Sequence, residues 1–136
     1  MPQIPSSING VFVQFAGSVV NDVDQRMLEG LVHCIGSQIA GGHILSSIYI
    51  SSAYDSHQMP SRHMQHKAVD ISRINDVKIA VGYPMGGSIK AIVDAIQTNF
   101  ESFIHRRENF GPFLKNKLGQ SWTVPGHNDH IHLSVN

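Results

Sequence analysis

The chain of 136 residues lacks the features that define several common protein classes. It has one cysteine, Cys34, which excludes an internal disulfide and a cysteine-based zinc site. No apolar run approaches the roughly 20 residues that a membrane-spanning helix needs. Basic and acidic residues both number 10, so there is no basic surplus of the kind that nucleic-acid binders use for phosphate contacts. We therefore expect neither a membrane span nor nucleic-acid binding.

The composition predicts one globular domain over residues 1–136. Hydrophobic residues make up 41% of the chain and charged residues 15%, as in proteins with a single core. Residues 1–5 lack the basic and apolar regions of a secretory signal, which predicts synthesis in the cytoplasm. The sequence carries no signal for a particular oligomeric state.

Hydrophobic periodicity predicts an α+β fold with two helices. The first helix is expected after Asn21 and Asp22, with Cys34 buried in its apolar stripe, and glycines 41 and 42 are expected to end it. A second helix is expected to start at residues 86–88. Strands are predicted over residues 10–16, 44–53, 66–72, 121–124 and 130–135, with an irregular connection over residues 106–119 and a core position for Trp122. This pattern indicates a small antiparallel sheet with helices packed on one face.

Two polar motifs carry the chemistry. Residues 61–70 read SRHMQHKAVD and residues 127–132 read HNDHIH, and together they contain five of the nine histidines. They offer His63, Asp70 and His132, which is a ligand set that catalytic zinc uses, with a fourth position left for water. Taken singly, each motif also fits ordinary core or surface histidines. If the motifs meet at the strand ends, as we expect, they form a site for one zinc ion.

The two motifs resemble those of the zinc D-alanyl-D-alanine carboxypeptidases and L-alanyl-D-glutamate endopeptidases that cut peptidoglycan stem peptides. The first signature of that family is S-x-H-x-x-G-x-A-x-D, and Ser61, His63, Ala68 and Asp70 match it in register. The second is an acidic residue three positions before a histidine, matched by Asp129 and His132. The resemblance implies that His63, Asp70 and His132 bind zinc and that Asp129 is the general base.

A further resemblance concerns the histidine run. The related penicillin-insensitive murein endopeptidases contain an H-x-x-H-x-H run in which the middle histidine assists the chemistry, and this chain has His127, His130 and His132 at that spacing. The resemblance implies that His130 stabilises the tetrahedral oxyanion or shares the proton transfer with Asp129. Which of the two is the general base is left open by the sequence.

The expected substrate-binding residues lie in the two motifs or shortly before the first. They are Tyr54, Ser61, Arg62 and His127, with Ser61 also expected to orient a ligand through a hydrogen bond. The chain departs from the family pattern at two positions. Asp55 stands where the family commonly has a substrate-binding arginine, a role for which Arg62 or Arg73 is available, and His66 stands at the signature glycine.

These features predict a zinc metallopeptidase acting on peptidoglycan. The expected activity is that of an L-alanyl-D-glutamate-type endopeptidase, resembling a small phage endolysin that reaches the cell wall on lysis or from a virion. Two alternatives stay open: a D-alanyl-D-alanine carboxypeptidase or dipeptidase, and a non-catalytic zinc module that binds cell-wall fragments or a protein partner.

Overall fold

The computed structural model describes residues 1–53 and 66–136, which form one mixed sheet with three helices. The strands are β1 Ser7–Ile8, β2 Val11–Phe15, β3 Ser47–Ser52, β4 Ala68–Ile74, β5 Val77–Lys78, β6 Arg106–Phe110, β7 Lys115–Lys117, β8 Gln120–Ser121 and β9 Ile131–Val135. The helices are α1 Gln25–Cys34, α2 Ile79–Gly82 and α3 Gly87–Phe100. An α+β architecture is therefore present in this part of the chain.

The sheet is larger than expected and is not purely antiparallel. Its strand order is β1-β2-β3-β4-β9-β6-β7-β8, with β5 paired to β4, and nine strands take part. The prediction of a small antiparallel sheet was wrong, because β2 and β3 pair in parallel. Parallel neighbours need a crossover connection rather than a hairpin, and α1 lies in that connection.

Helices α1 and α3 cover one face of the sheet. They contact each other, and both pack on β9, which places them on the same side. Val69 and Ile71 of β4 and Leu133 of β9 are fully buried in the apolar core with these helices. Because side chains alternate along a strand, Asp70 and His132 point to the opposite face. None of the helices in the described ranges is long and apolar enough to cross a membrane.

Helix α1 is shorter at both ends than its apolar pattern predicts. It begins after Asp24, whose carboxylate accepts a hydrogen bond from the Arg26 amide, because Asn21 is engaged in backbone and side-chain hydrogen bonds with Ile4. The helix ends at Cys34. There the Asn9 side chain donates hydrogen bonds to the carbonyls of residues 32 and 35, which have no partner within the helix. Cys34 is fully buried as expected, and burial raises the pKa of its thiol to about 12.

Residues 106–119 form ordered strands, so the predicted irregular connection was wrong. Strand β6 pairs with β9 on one side and with β7 on the other, and pairing with β9 cannot be read from local sequence. The short strand β8 pairs with β7 and ends at Ser121, whereas the sequence predicted a strand over residues 121–124. Trp122 is half-exposed under the Lys117 ammonium, not in the core.

Candidate active site

Asp70 and His132 are direct partners across the central strands of the sheet. They face each other in the register of β4 and β9, with His132 Nδ1 2.8 Å from Asp70 Oδ1. The Asp70 side chain is 16% exposed and the His132 side chain is 11% exposed, so water competes little for this contact. The described parts of the two motifs therefore meet across paired strands, with Asp70 the third residue of β4 and His132 the second residue of β9.

A carboxylate that the sequence did not indicate lies on the other edge of the His132 ring. Glu108 Oε1 is 3.0 Å from His132 Nε2, and the Ser134 hydroxyl donates to the same oxygen at 2.8 Å. The ring of Phe110 stacks on His132 with centroids 5.7 Å apart and an interplanar angle of 18°. Glu108 escaped prediction because it follows two arginines in a segment without a clear hydrophobic period.

The two carboxylates change the protonation of His132 strongly. Burial disfavours the charged imidazolium, but the hydrogen bonds to Asp70 and Glu108 outweigh this effect and raise the pKa of His132 to about 9. Burial by itself would raise the pKa of Glu108, but the hydrogen bonds that its carboxylate accepts from His132 and Ser134 lower this pKa to about 2. Without a metal, His132 is thus an imidazolium held between two carboxylates at neutral pH.

The turn before β9 brings the histidine run together. His127 has a φ of 63°, and its Nδ1–H donates to the Pro125 carbonyl at 3.1 Å. Its ring centroid is 5.0 Å from that of His130 and 5.7 Å from that of His132. Burial, reinforced by the neighbouring histidines, lowers the pKa of His127. The three histidines of the run are therefore neighbours in space.

Asp129 and His130 form a second acid–imidazole pair in this turn. His130 Nδ1 donates to Asp129 Oδ1 at 2.7 Å, and this hydrogen bond lowers the pKa of Asp129. The Asp129 side chain is 69% exposed, whereas that of His130 is 25% exposed. An ionised, accessible carboxylate of this kind can accept a proton from a ligand on the open side of the turn.

A pocket of about 280 Å³ opens beside Asp129. Besides Asp129, it is lined by Ser72, Arg73, Lys78 and Ala80. The Arg73 guanidinium lies over the Tyr49 ring, 4.5 Å from its centroid, and Arg73 is paired with Lys78 between β4 and β5. Two cations therefore border the pocket that adjoins the candidate base.

Four residues predicted for the site lie outside the described residues. They are Tyr54, Ser61, Arg62 and the predicted metal ligand His63. Asp55 lies outside the described residues as well. Across residues 1–53 and 66–136 no group of three or more His, Cys, Asp or Glu is arranged to hold a metal ion. Glu108 does not complete such a group with Asp70, because the two carboxylates contact opposite edges of the His132 ring.

Asp70 and His132 nevertheless fit the chemistry of a shared metal. Imidazole nitrogen and carboxylate oxygen are both normal zinc ligands, and two such atoms on one tetrahedral ion lie about 3.3 Å apart. The observed pair at 2.8 Å would need to open by roughly 0.5 Å to receive an ion. These two residues therefore suit two of the predicted ligand positions.

His66, at the signature glycine, keeps the backbone conformation that glycine favours. Its φ is 60°, and its Nδ1–H donates to the Asp22 carbonyl at 2.9 Å. The backbone carbonyl of His66 also accepts from the Asp24 amide, at the start of α1. His66 therefore forms the bend that precedes β4 and ties it to the first helix.

No family model, curated protein or solved structure matches this chain.

Proposed function

We propose that the chain is a zinc-dependent peptidase that hydrolyses an amide bond of the murein stem peptide, as an L-alanyl-D-glutamate-type endopeptidase. The observation that carries the proposal is the pairing of Asp70 with His132 at 2.8 Å, between two motifs separated by sixty residues. The Asp129–His130 pair in the adjoining turn supplies an acid and an imidazole close in sequence to the predicted ligand. The resemblance of both motifs to the peptidoglycan peptidases supports the substrate class.

In this proposal His63, Asp70 and His132 hold one zinc ion. When bound there, zinc would supply Lewis acidity and lower the pKa of a water molecule towards neutrality. Asp129 accepts a proton from the attacking water and delivers one to the leaving amine, since it is ionised and exposed at neutral pH. His130 orients Asp129 through their hydrogen bond and faces the same turn, where its imidazole can stabilise the developing oxyanion.

The acidic groups of the stem peptide have a matching surface beside the base. The pocket next to Asp129 carries Arg73 and Lys78, and cations of this kind attract carboxylates. Stacking on Tyr49 restrains the Arg73 side chain, so less conformational entropy is lost when it binds a ligand. We propose that Arg73 takes over the role of the arginine that the family has where this chain has Asp55.

The experiment is mass spectrometry of purified peptidoglycan after digestion by the zinc-loaded protein, with a chelated sample alongside. We expect new amino termini at the L-alanyl-D-glutamate bond in the zinc sample alone. Released D-alanine would instead indicate the carboxypeptidase activity.

Absence of products from a folded, zinc-bound protein would overturn the peptidase proposal. A retained affinity for wall fragments would then favour the binding module.

A further inference from the structure

We propose that Glu108 is a positioning residue that selects Nδ1 of His132 as the metal-binding atom and holds it towards Asp70. This inference rests on the proposed zinc function and adds a residue that neither motif contains. Its basis is the arrangement of four side chains on the sheet face opposite α1 and α3: Asp70, Glu108, His132 and Ser134.

Glu108 is itself fixed by two contacts with Ser134. The Glu108 amide donates to Ser134 Oγ at 3.0 Å, and the Ser134 hydroxyl donates to Glu108 Oε1 at 2.8 Å. These bonds join the side chain of Glu108 to the strand that carries His132. Glu108 Oε1 is thereby held at 3.0 Å from His132 Nε2 rather than being free to follow the ring.

The two carboxylates distinguish the ring nitrogens, because Asp70 is a proposed metal ligand and Glu108 is not. Nδ1 lies 2.8 Å from Asp70 Oδ1, so a metal bound by both residues would meet the ring at Nδ1. A carboxylate is an acceptor, so the other ring nitrogen would present Nε2–H to Glu108. Histidine ligands of metals commonly donate their second ring nitrogen to a carboxylate in this way, which fixes the tautomer and the ring orientation.

Packing restrains the ring in the same orientation. Phe110, which is opposite His132 in the register of β6 and β9, stacks on the imidazole at an interplanar angle of 18°. Rotation about the side-chain bonds of His132 would lose both this stacking and the bond to Glu108. A single strand, β6, thus supplies the hydrogen-bond acceptor at the ring edge and the aromatic surface on its face.

The test measures zinc affinity by chelator competition in Glu108→Ala, with Glu29→Gln as the charge-matched control on the exposed side of α1. We expect Glu108→Ala to bind zinc roughly 10–100-fold more weakly, and Glu29→Gln to bind it as the parent does. Glu108→Gln should recover part of the loss, because its amide oxygen still accepts from Nε2–H. Nitrogen NMR of His132 in the zinc-loaded parent should show a protonated Nε2 and a metal-bound Nδ1.

The outcomes separate this role from a merely structural one. Unchanged zinc affinity and unchanged Nδ1 ligation in a folded Glu108→Ala protein would overturn the inference while leaving the zinc function standing. A parent protein that binds no zinc would overturn both. If Glu108→Ala does not fold, Glu108→Gln and Ser134→Ala decide by the same two measurements, each with an expected loss smaller than that of Glu108→Ala.

Discussion

Asp129 and His130 are adjacent in sequence, yet their side chains differ in what they can do. Asp129 is largely exposed and carries a lowered pKa because His130 donates a hydrogen bond to it. His130 is more buried and lies against the ring of His127. The arrangement suits Asp129 for exchanging protons with a ligand, and it suits His130 for fixing the direction of that carboxylate.

Asp129→Asn is expected to retain zinc and to lose activity. The substitution keeps the size of the side chain but removes the proton acceptor, so kcat should fall by about 10²–10⁴-fold, the usual contribution of a general base. Zinc affinity should be unchanged, since Asp129 is not a proposed ligand. Steady-state kinetics and chelator competition measure the two quantities, with Asp76→Asn in the exposed turn after β4 as the control. Retained turnover in Asp129→Asn would move the base role to His130.

At the scale of elements, the β6–β7 hairpin connects the helical layer to the site. Gln97 of α3 is fully buried, and its Oε1 accepts hydrogen bonds from the amides of Phe113 and Leu114 in the hairpin turn. Its Nε2 donates to the Asn109 side chain and to the Leu114 carbonyl. One buried amide therefore anchors the hairpin whose first strand carries Glu108 and Phe110.

Gln97→Met is expected to destabilise the fold by about 2–4 kcal/mol, because it leaves several buried polar groups of the hairpin without their partner. Methionine has nearly the same volume, so loss of packing contributes little. Urea unfolding of the metal-free protein measures the change, and Gln25→Met at the exposed start of α1 is the matched control. Equal stabilities of the two variants would show that the Gln97 contacts do not hold the hairpin.

At the scale of the whole molecule, the protonation of His132 makes the stability of the fold depend on pH. Its pKa is about 9 in the folded protein, against the ordinary 6.5, because the hydrogen bonds to Asp70 and Glu108 outweigh the effect of burial. The stabilisation from a raised pKa is fully present below pH 6.5 and is lost as the pH rises through 9. The proposed zinc binding would show the opposite dependence on pH, since a metal would displace the proton on Nδ1.

We therefore expect the free energy of unfolding of the zinc-free protein to fall by about 1–3 kcal/mol between pH 6.5 and 9. The additional stability conferred by zinc should rise over the same interval. Urea unfolding at several pH values, with chelator or with excess zinc, measures both trends. Glu108→Gln should show a smaller decline without zinc, because one of the two carboxylates that raise the pKa is gone. A flat profile for the zinc-free parent would contradict the assigned protonation of His132.

Local sequence was sufficient for the features that depend on neighbours along the chain. The alternation of residues 66–72 predicted most of β4. The apolar stripe of residues 89–103 predicted α3, although the helix ends at Phe100, and the burial of Cys34 followed from its place in the first stripe. The roles assigned to the motif residues remain predictions, and His63 lies outside the described part of the chain.

Strand pairing decided what the sequence could not. Glu108 meets His132 only because β6 lies beside β9, and the parallel contact of β2 with β3 depends on how α1 crosses the sheet. Hydrogen bonds between strands join residues far apart in sequence and leave no periodic signal in either segment. Sequence alone thus determined which residue types could bind a metal and move a proton. Tertiary structure determined that Asp70 opposes one edge of His132 and Glu108 the other, because only the order of strands in the sheet sets which side chains are neighbours.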